Sequence, residues 1–177
     1  LILHTQTSLF GLGFLLALIQ MKKRPVLIIK LVGALFLLSF VANIVQKALW
    51  DWGLLNPNYV GSLFYILIFP FISWIYFHET GRSNKRVFIV VCLIYEIFAI
   101  ANVLFIQRSA INSYTSILLA VIIIVYALFY FYWLIKELPT TQLQRLPMFW
   151  VNAGFMIYYS GNFFLFVFTA YLVNVLN

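Results

Sequence analysis

PMFWVNAGFMIYYSGNFFLFVFTAYLVN, residues 147–174, decides how this chain is read. Its apolar body is long enough to cross a bilayer with some tilt. Yet Asn152, Tyr158, Tyr159, Ser160 and Asn162 lie inside it. Asn152, Phe155, Tyr159, Asn162 and Phe166 recur at steps of three and four, so a helix presents them on one face. An amide turned to lipid lacks hydrogen-bond partners, so this face is expected to turn into protein or into a wet cavity. Two readings follow. In one the polar residues are glue between helices; in the other they are the wall of a binding pocket. Gly154 and Gly161 form a nearby stripe that is expected to let another helix approach closely, or to act as a pivot.

Outward from this stretch, composition supports the same solvent. Apolar residues make up 65% of the 177 residues and charged residues only 8%, against about 25% charged in ordinary soluble domains. At roughly 20 residues per span, the chain accommodates six helices joined by short loops. The expected fold is all-α, a polytopic integral membrane protein. It forms one helical bundle over 1–177, with spans at about 1–20, 26–49, 60–77, 87–107, 114–135 and 147–174. Span 114–135 is nearly all aliphatic and aromatic and is expected to face lipid broadly. Trp50, Trp52 and Tyr59 suit the membrane–water boundary.

The net charge of +7 is not a nucleic-acid signature, because the basic residues sit in short clusters between apolar runs. Nine of the eleven Lys and Arg residues (22, 23, 24, 30, 82, 85, 86, 136 and 145) fall at one end of an alternating six-span layout. Only Lys47 and Arg108 fall at the other. Positively charged short loops stay in the cytoplasm, so both termini of the six-span layout are expected outside a bacterial inner membrane. The basic loops are candidate contacts for anionic lipid. The chain starts at Leu1 and shows no cleavable signal peptide, since the charges follow the first apolar run. The native start is expected to lie elsewhere.

Glu96 sits in the centre of the fourth span. A carboxyl group at mid-bilayer costs about 3 kcal/mol on insertion scales and ordinarily faces a bundle interior. It is read as a structural hydrogen-bonded acid, as a group that binds a cationic or hydroxylated ligand, or as part of a proton relay. Tyr95 and Asn102 share an adjacent face. Ser39, Asn43 and Gln46 form a polar stripe on the second span. Candidate pocket residues are thus Glu96, Tyr95, Asn102, Asn43, Gln46, Asn152, Tyr159 and Asn162. With alternating helix direction, Glu96, Asn162 and Tyr159 are expected at one depth near mid-bilayer. Pro70 interrupts the third span, either as plain architecture or as a hinge. Gly11 and Gly13 are read as packing positions of the first span. His4 is read as an interfacial residue, and the single cysteine, Cys92, as a small buried apolar residue.

No motif for catalysis, metal or cofactor binding is present. There is no Gly-x-Ser-x-Gly elbow, no phosphate-binding glycine loop and no His/Cys cluster. His78-Glu79 lacks the second histidine of a zinc-protease helix. No enzymatic activity, cofactor or nucleic-acid partner is expected.

The segment FWVNAGFMIYYSGNFFLFVF at 149–168 resembles the late helix of multi-span membrane sensor regions from Bacteroidetes, some of which precede a histidine-kinase module. The basic turn before Pro25 and the aromatic loop near 50–59 are similar too. The resemblance implies a seven-helix receptor layout in which a further helix follows Asn177 and delivers the chain to the cytoplasm. The expected function is a sensor bundle responding to a small apolar or amphipathic molecule or to the lipid itself. A small transporter or channel using Glu96 and the intramembrane asparagines is an alternative. So is a structural subunit held by a protein partner or by further copies of the chain.

Overall fold

The computed structural model describes residues 2–23, 27–53, 57–80, 85–107, 113–137 and 142–176. Arg24, Pro25, Arg82 and Arg108 fall outside the described residues, as do the side chains of His4, Trp50 and Tyr59. Six long helices dominate: α1 (Ile2–Lys23), α2 (Leu27–Trp52), α3 (Pro57–Glu79), α4 (Lys85–Ala101), α5 (Ser113–Glu137) and α6 (Pro147–Leu176). A π-helical turn, Asn102–Ile106, extends α4, and a 3-10 turn, Leu143–Arg145, precedes α6. Among the described residues, five helices are long and apolar enough to cross a membrane; they correspond to α2, α3, α4 with its π turn, α5 and α6. In α1 the described apolar segment is the shorter Gly11–Gln20.

Helix ends depart from the hydropathy boundaries because backbone hydrogen bonding runs on past the apolar core. α2 continues through Trp52, into what looks like loop. It ends at Gly53, whose φ of 62° is the left-handed geometry that commonly closes a helix. Proline at the first position of α3 costs nothing, since its missing N–H has no intrahelical partner there. α3 then runs through Pro70 as one helix. At its far end, Thr80 donates both its backbone N–H and its hydroxyl to the Tyr76 carbonyl, at 3.0 and 2.8 Å.

Consecutive helices pack against each other throughout, and α3 also meets α5, while α6 also meets α2. Four helices, α2, α3, α5 and α6, therefore form a ring. α1 lies outside it against α2, and α4 lies outside it against α3 and α5. α1 is held close to α2 by its glycines. A Cβ built on Gly13 comes within 2.7 Å of the Phe36 ring, and one on Gly11 within 3.2 Å of Phe40.

The core is aromatic. Phe69 of α3 packs on Tyr95 of α4, with ring centroids 4.1 Å apart. Tyr126 of α5 meets Tyr76 and Phe88 at 5.3 and 5.1 Å. Such tilted pairs add a little to the burial of their large surfaces.

The expectation that the fifth span faces lipid broadly is corrected here. α5 is a central helix, and Leu119, Ala120, Ile123, Ala127, Tyr130 and Leu134 are buried on it. The lipid-like exterior belongs instead to helices such as α4, where Ile94 and Ile97 are 61% and 68% exposed. Hydropathy cannot separate the two cases, because lipid tails are as apolar as a protein core.

Candidate functional site

A cavity of about 690 Å³ opens within the ring, between α2, α3 and α6, with Leu119 of α5 at its back. Small-molecule sites commonly span roughly 300–1,000 Å³. α3 contributes a stripe at steps of three and four, Gly61, Tyr65, Ile68 and Ile72, backed by the Tyr65 hydroxyl's hydrogen bond to Ser116 of α5. α2 contributes Val32, Leu35, Phe36, Ser39, Asn43 and Gln46. α6 contributes Val151, Gly154, Phe155, Tyr159, Asn162 and Phe166.

Of the candidate pocket residues, Asn43, Gln46, Tyr159 and Asn162 line this cavity together, and Gly154 lies on its wall. The other four do not line it. Asn152 shares the sequence face of Tyr159 and Asn162, but it turns behind the wall. Its Nδ2 donates to the Ala127 carbonyl of α5 at 3.1 Å, and its Oδ1 accepts from the Tyr76 hydroxyl of α3 at 2.7 Å. It is fully buried and ties three helices together.

Asn102 belongs to the α4–α5 connection. Its Nδ2 donates to Gln107 Oε1 and to Thr115 Oγ1, both at 3.0 Å, and Gln107 Oε1 also accepts the Tyr114 backbone N–H at 3.3 Å. The Gln107 N–H bonds the Asn102 carbonyl at 2.7 Å, closing the wide π turn. Tyr95 is a core residue packed at a tilt against the Phe69 ring.

Glu96 is half-buried on α4, outside the ring, and so does not reach the cavity wall as a ligand group. Among the described residues, its Oε1 and the Tyr95 hydroxyl are buried without a hydrogen-bond partner. The mid-bilayer cluster of Glu96, Asn162 and Tyr159 envisaged from the sequence is therefore divided between two places.

The glycine stripe also reads differently in three dimensions. A Cβ on Gly154 or Gly161 meets nothing within 4 Å. Close helix approach is made instead by Gly11 and Gly13. Gly154 borders open cavity, which gives a direct expectation. Gly154→Ala removes a flexible residue from mid-helix without a clash, and thermal unfolding in detergent should show it as stable as the parent or more stable by about 0.5–1 kcal/mol.

The remaining polar features are local. His78 Nδ1 lies 3.2 Å from Glu79 Oε1, a pair at the basic end of α3. Cys92 is half-buried and free. Among the described residues no three His, Cys, Asp or Glu side chains gather as a metal site.

Sequence reasoning did not single out Phe36, Tyr65 or Trp150 as wall residues. For Tyr65 the signal was present in the stripe from Gly61 to Ile72. Phe36 carried none, since an aromatic on a hydrophobic helix looks the same facing lipid, core or cavity. The chain matches no family model, no curated protein and no solved structure.

Proposed function

We propose that this chain is the ligand-sensing bundle of a bacterial inner-membrane signalling protein, with six spans, an external amino terminus and cytoplasmic basic loops. The observation that carries this reading is the cavity between α2, α3 and α6. A molecule seated there contacts three helices at once and wedges α2 from α6. Differential binding to two packings of α6 is what converts occupancy into a conformational signal. The sensor-region resemblance of residues 149–168, on α6, points the same way. Anionic lipid at Lys22, Arg86, Lys136 and Arg145 would hold the opposite ends of the helices in place.

The carrier alternative draws less support. It needs a continuous polar path, but Asn102 and Asn152 are committed to interhelical hydrogen bonds and Glu96 stands off the cavity wall.

The test uses nitroxide labels at Val41 of α2 and Ile157 of α6, both exposed, in a Cys92→Ser background. Distance distributions are compared in nanodiscs of native lipid extract and of a single synthetic phosphatidylcholine. A shift of about 1–2 Å or more is expected, and Gly154→Leu, which fills the cavity, should abolish it. Identical distributions in both lipids would sink the sensing function. Proton-gradient-driven uptake that fails in Glu96→Gln would replace it with the carrier, and copurification with one fixed partner would replace it with the structural subunit.

A further inference from the structure

The cavity's own chemistry narrows what it holds. Among the described residues, no Lys, Arg, His, Asp or Glu lines it. A carboxylate, phosphate or ammonium placed there would be a buried charge without a counter-ion, which is costly at this depth.

The two asparagines are already half used, and in the same sense. Asn43 Nδ2 donates to the Ser39 carbonyl at 2.8 Å, and Asn162 Nδ2 donates to the Tyr158 carbonyl at 2.8 Å. A carbonyl can only accept, so these bonds fix the amide orientations and leave each Oδ1 as the free end. What these two side chains offer the cavity is acceptors. An ester or ketone head can pair with neither Oδ1, whereas a hydroxyl donates to one of them. A hydroxyl can also accept in return from Gln46 or from a tyrosine hydroxyl on the same wall.

The rest of the wall is aliphatic and aromatic. Counted from the basic end, Asn43 and Asn162 each lie roughly 23 Å of helix rise into α2 and α6. Below them the cavity continues past Leu35 and Phe155 to Val32, Ile72 and Val151. Its lining runs over roughly 20 Å of helix rise, long enough for an extended aliphatic tail.

We propose that the cavity binds a neutral amphiphile whose hydroxyl head donates to the side-chain oxygen of Asn43 or of Asn162, with its apolar tail running toward the basic end. This rests on the ligand-binding part of the function above and specifies its ligand class.

The test is photocrosslinking in nanodiscs with three probes that carry the same tail diazirine: tetradecanol, tetradecanoate and tetradecane. Labelled peptides are mapped by mass spectrometry. The alcohol should label the α2, α3 and α6 wall about tenfold more efficiently than the alkane or the carboxylate at limiting concentration. Asn43→Leu with Asn162→Leu should lower the alcohol to the alkane level. Asn162→Leu alone, on a half-exposed site bonded only within its own helix, keeps the comparison open if the double variant does not fold. Equal cavity labelling by the alkane or the carboxylate overturns the hydroxyl assignment and leaves the sensing function standing. No cavity labelling by any probe overturns the ligand assignment, and if Gly154→Leu also leaves the lipid-dependent Val41–Ile157 distance shift unchanged, the sensing function falls with it.

Discussion

Asn152→Leu is expected to destabilise the bundle by about 2 kcal/mol, the sum of two interhelical hydrogen bonds lost from a dry site. The Tyr76 hydroxyl is left without a substitute, and the Ala127 carbonyl is left with its helical bond alone. The Tyr76 hydroxyl is buried among the rings of Tyr126, Tyr130 and Phe155, and the Ala127 carbonyl lies within a buried stretch of α5. Leucine is similar in size and more at home in lipid, so the loss is not one of insertion. It is the loss of a side chain that bonds α6 to both α3 and α5. Tyr76→Phe should remove only the 2.7 Å bond and cost about 1 kcal/mol. Steric-trap unfolding in bicelles measures each, and a double-mutant cycle isolates the pair. If Asn152→Leu unfolds like the parent, Asn152 is not the tie between these helices.

The second large effect is expected at Gly13. A Cβ there overlaps the Phe36 ring at 2.7 Å, closer than nonbonded carbons approach. Gly13→Val should cost about 1–3 kcal/mol through overpacking. The strain has two outlets, because Phe36 also lines the cavity. Either α1 separates from α2, or the ring swings into the binding space. Gly13→Val with Phe36→Leu should recover most of the loss, since the shorter side chain withdraws from the contact. The same unfolding assay reads this, and full additivity of the two substitutions would show that the contact carries no coupling.

These two sites show where linear reading succeeds and where it stops. Gly11 and Gly13 were legible as packing positions from small-residue spacing in an apolar run. Gly154 and Gly161 carried the same signal and mean something else, because whether a small residue faces a neighbour depends on how its helix is rotated. Asn152 and Asn162 share a face on paper. In the bundle, ten residues along a helix separate a buried tie from a cavity wall, since neighbouring helices cover only part of that face.

Glu96 is the sharpest divergence. Mid-span position made it the natural centre of a polar core, with Asn162 and Tyr159 at its depth. Depth is readable from sequence, because rise per residue is constant. Which helices are neighbours is not, and the packing puts α4 outside the ring. α5 was misjudged for the reciprocal reason: its purely apolar sequence is the same whether it meets lipid or protein.

By itself, then, the sequence determined an all-helical chain with long apolar helices and a one-sided distribution of basic residues. Hydrogen-bond satisfaction in an apolar solvent leaves helices as the solution for such segments, and charge counts need no coordinates. Only the tertiary structure decided that α2, α3, α5 and α6 enclose a cavity, that Asn43 and Asn162 both reach it, and that Asn102 and Asn152 are spent on holding helices together. Those outcomes depend on helix rotation and neighbour choice, and these are set by side-chain packing between segments far apart in the chain.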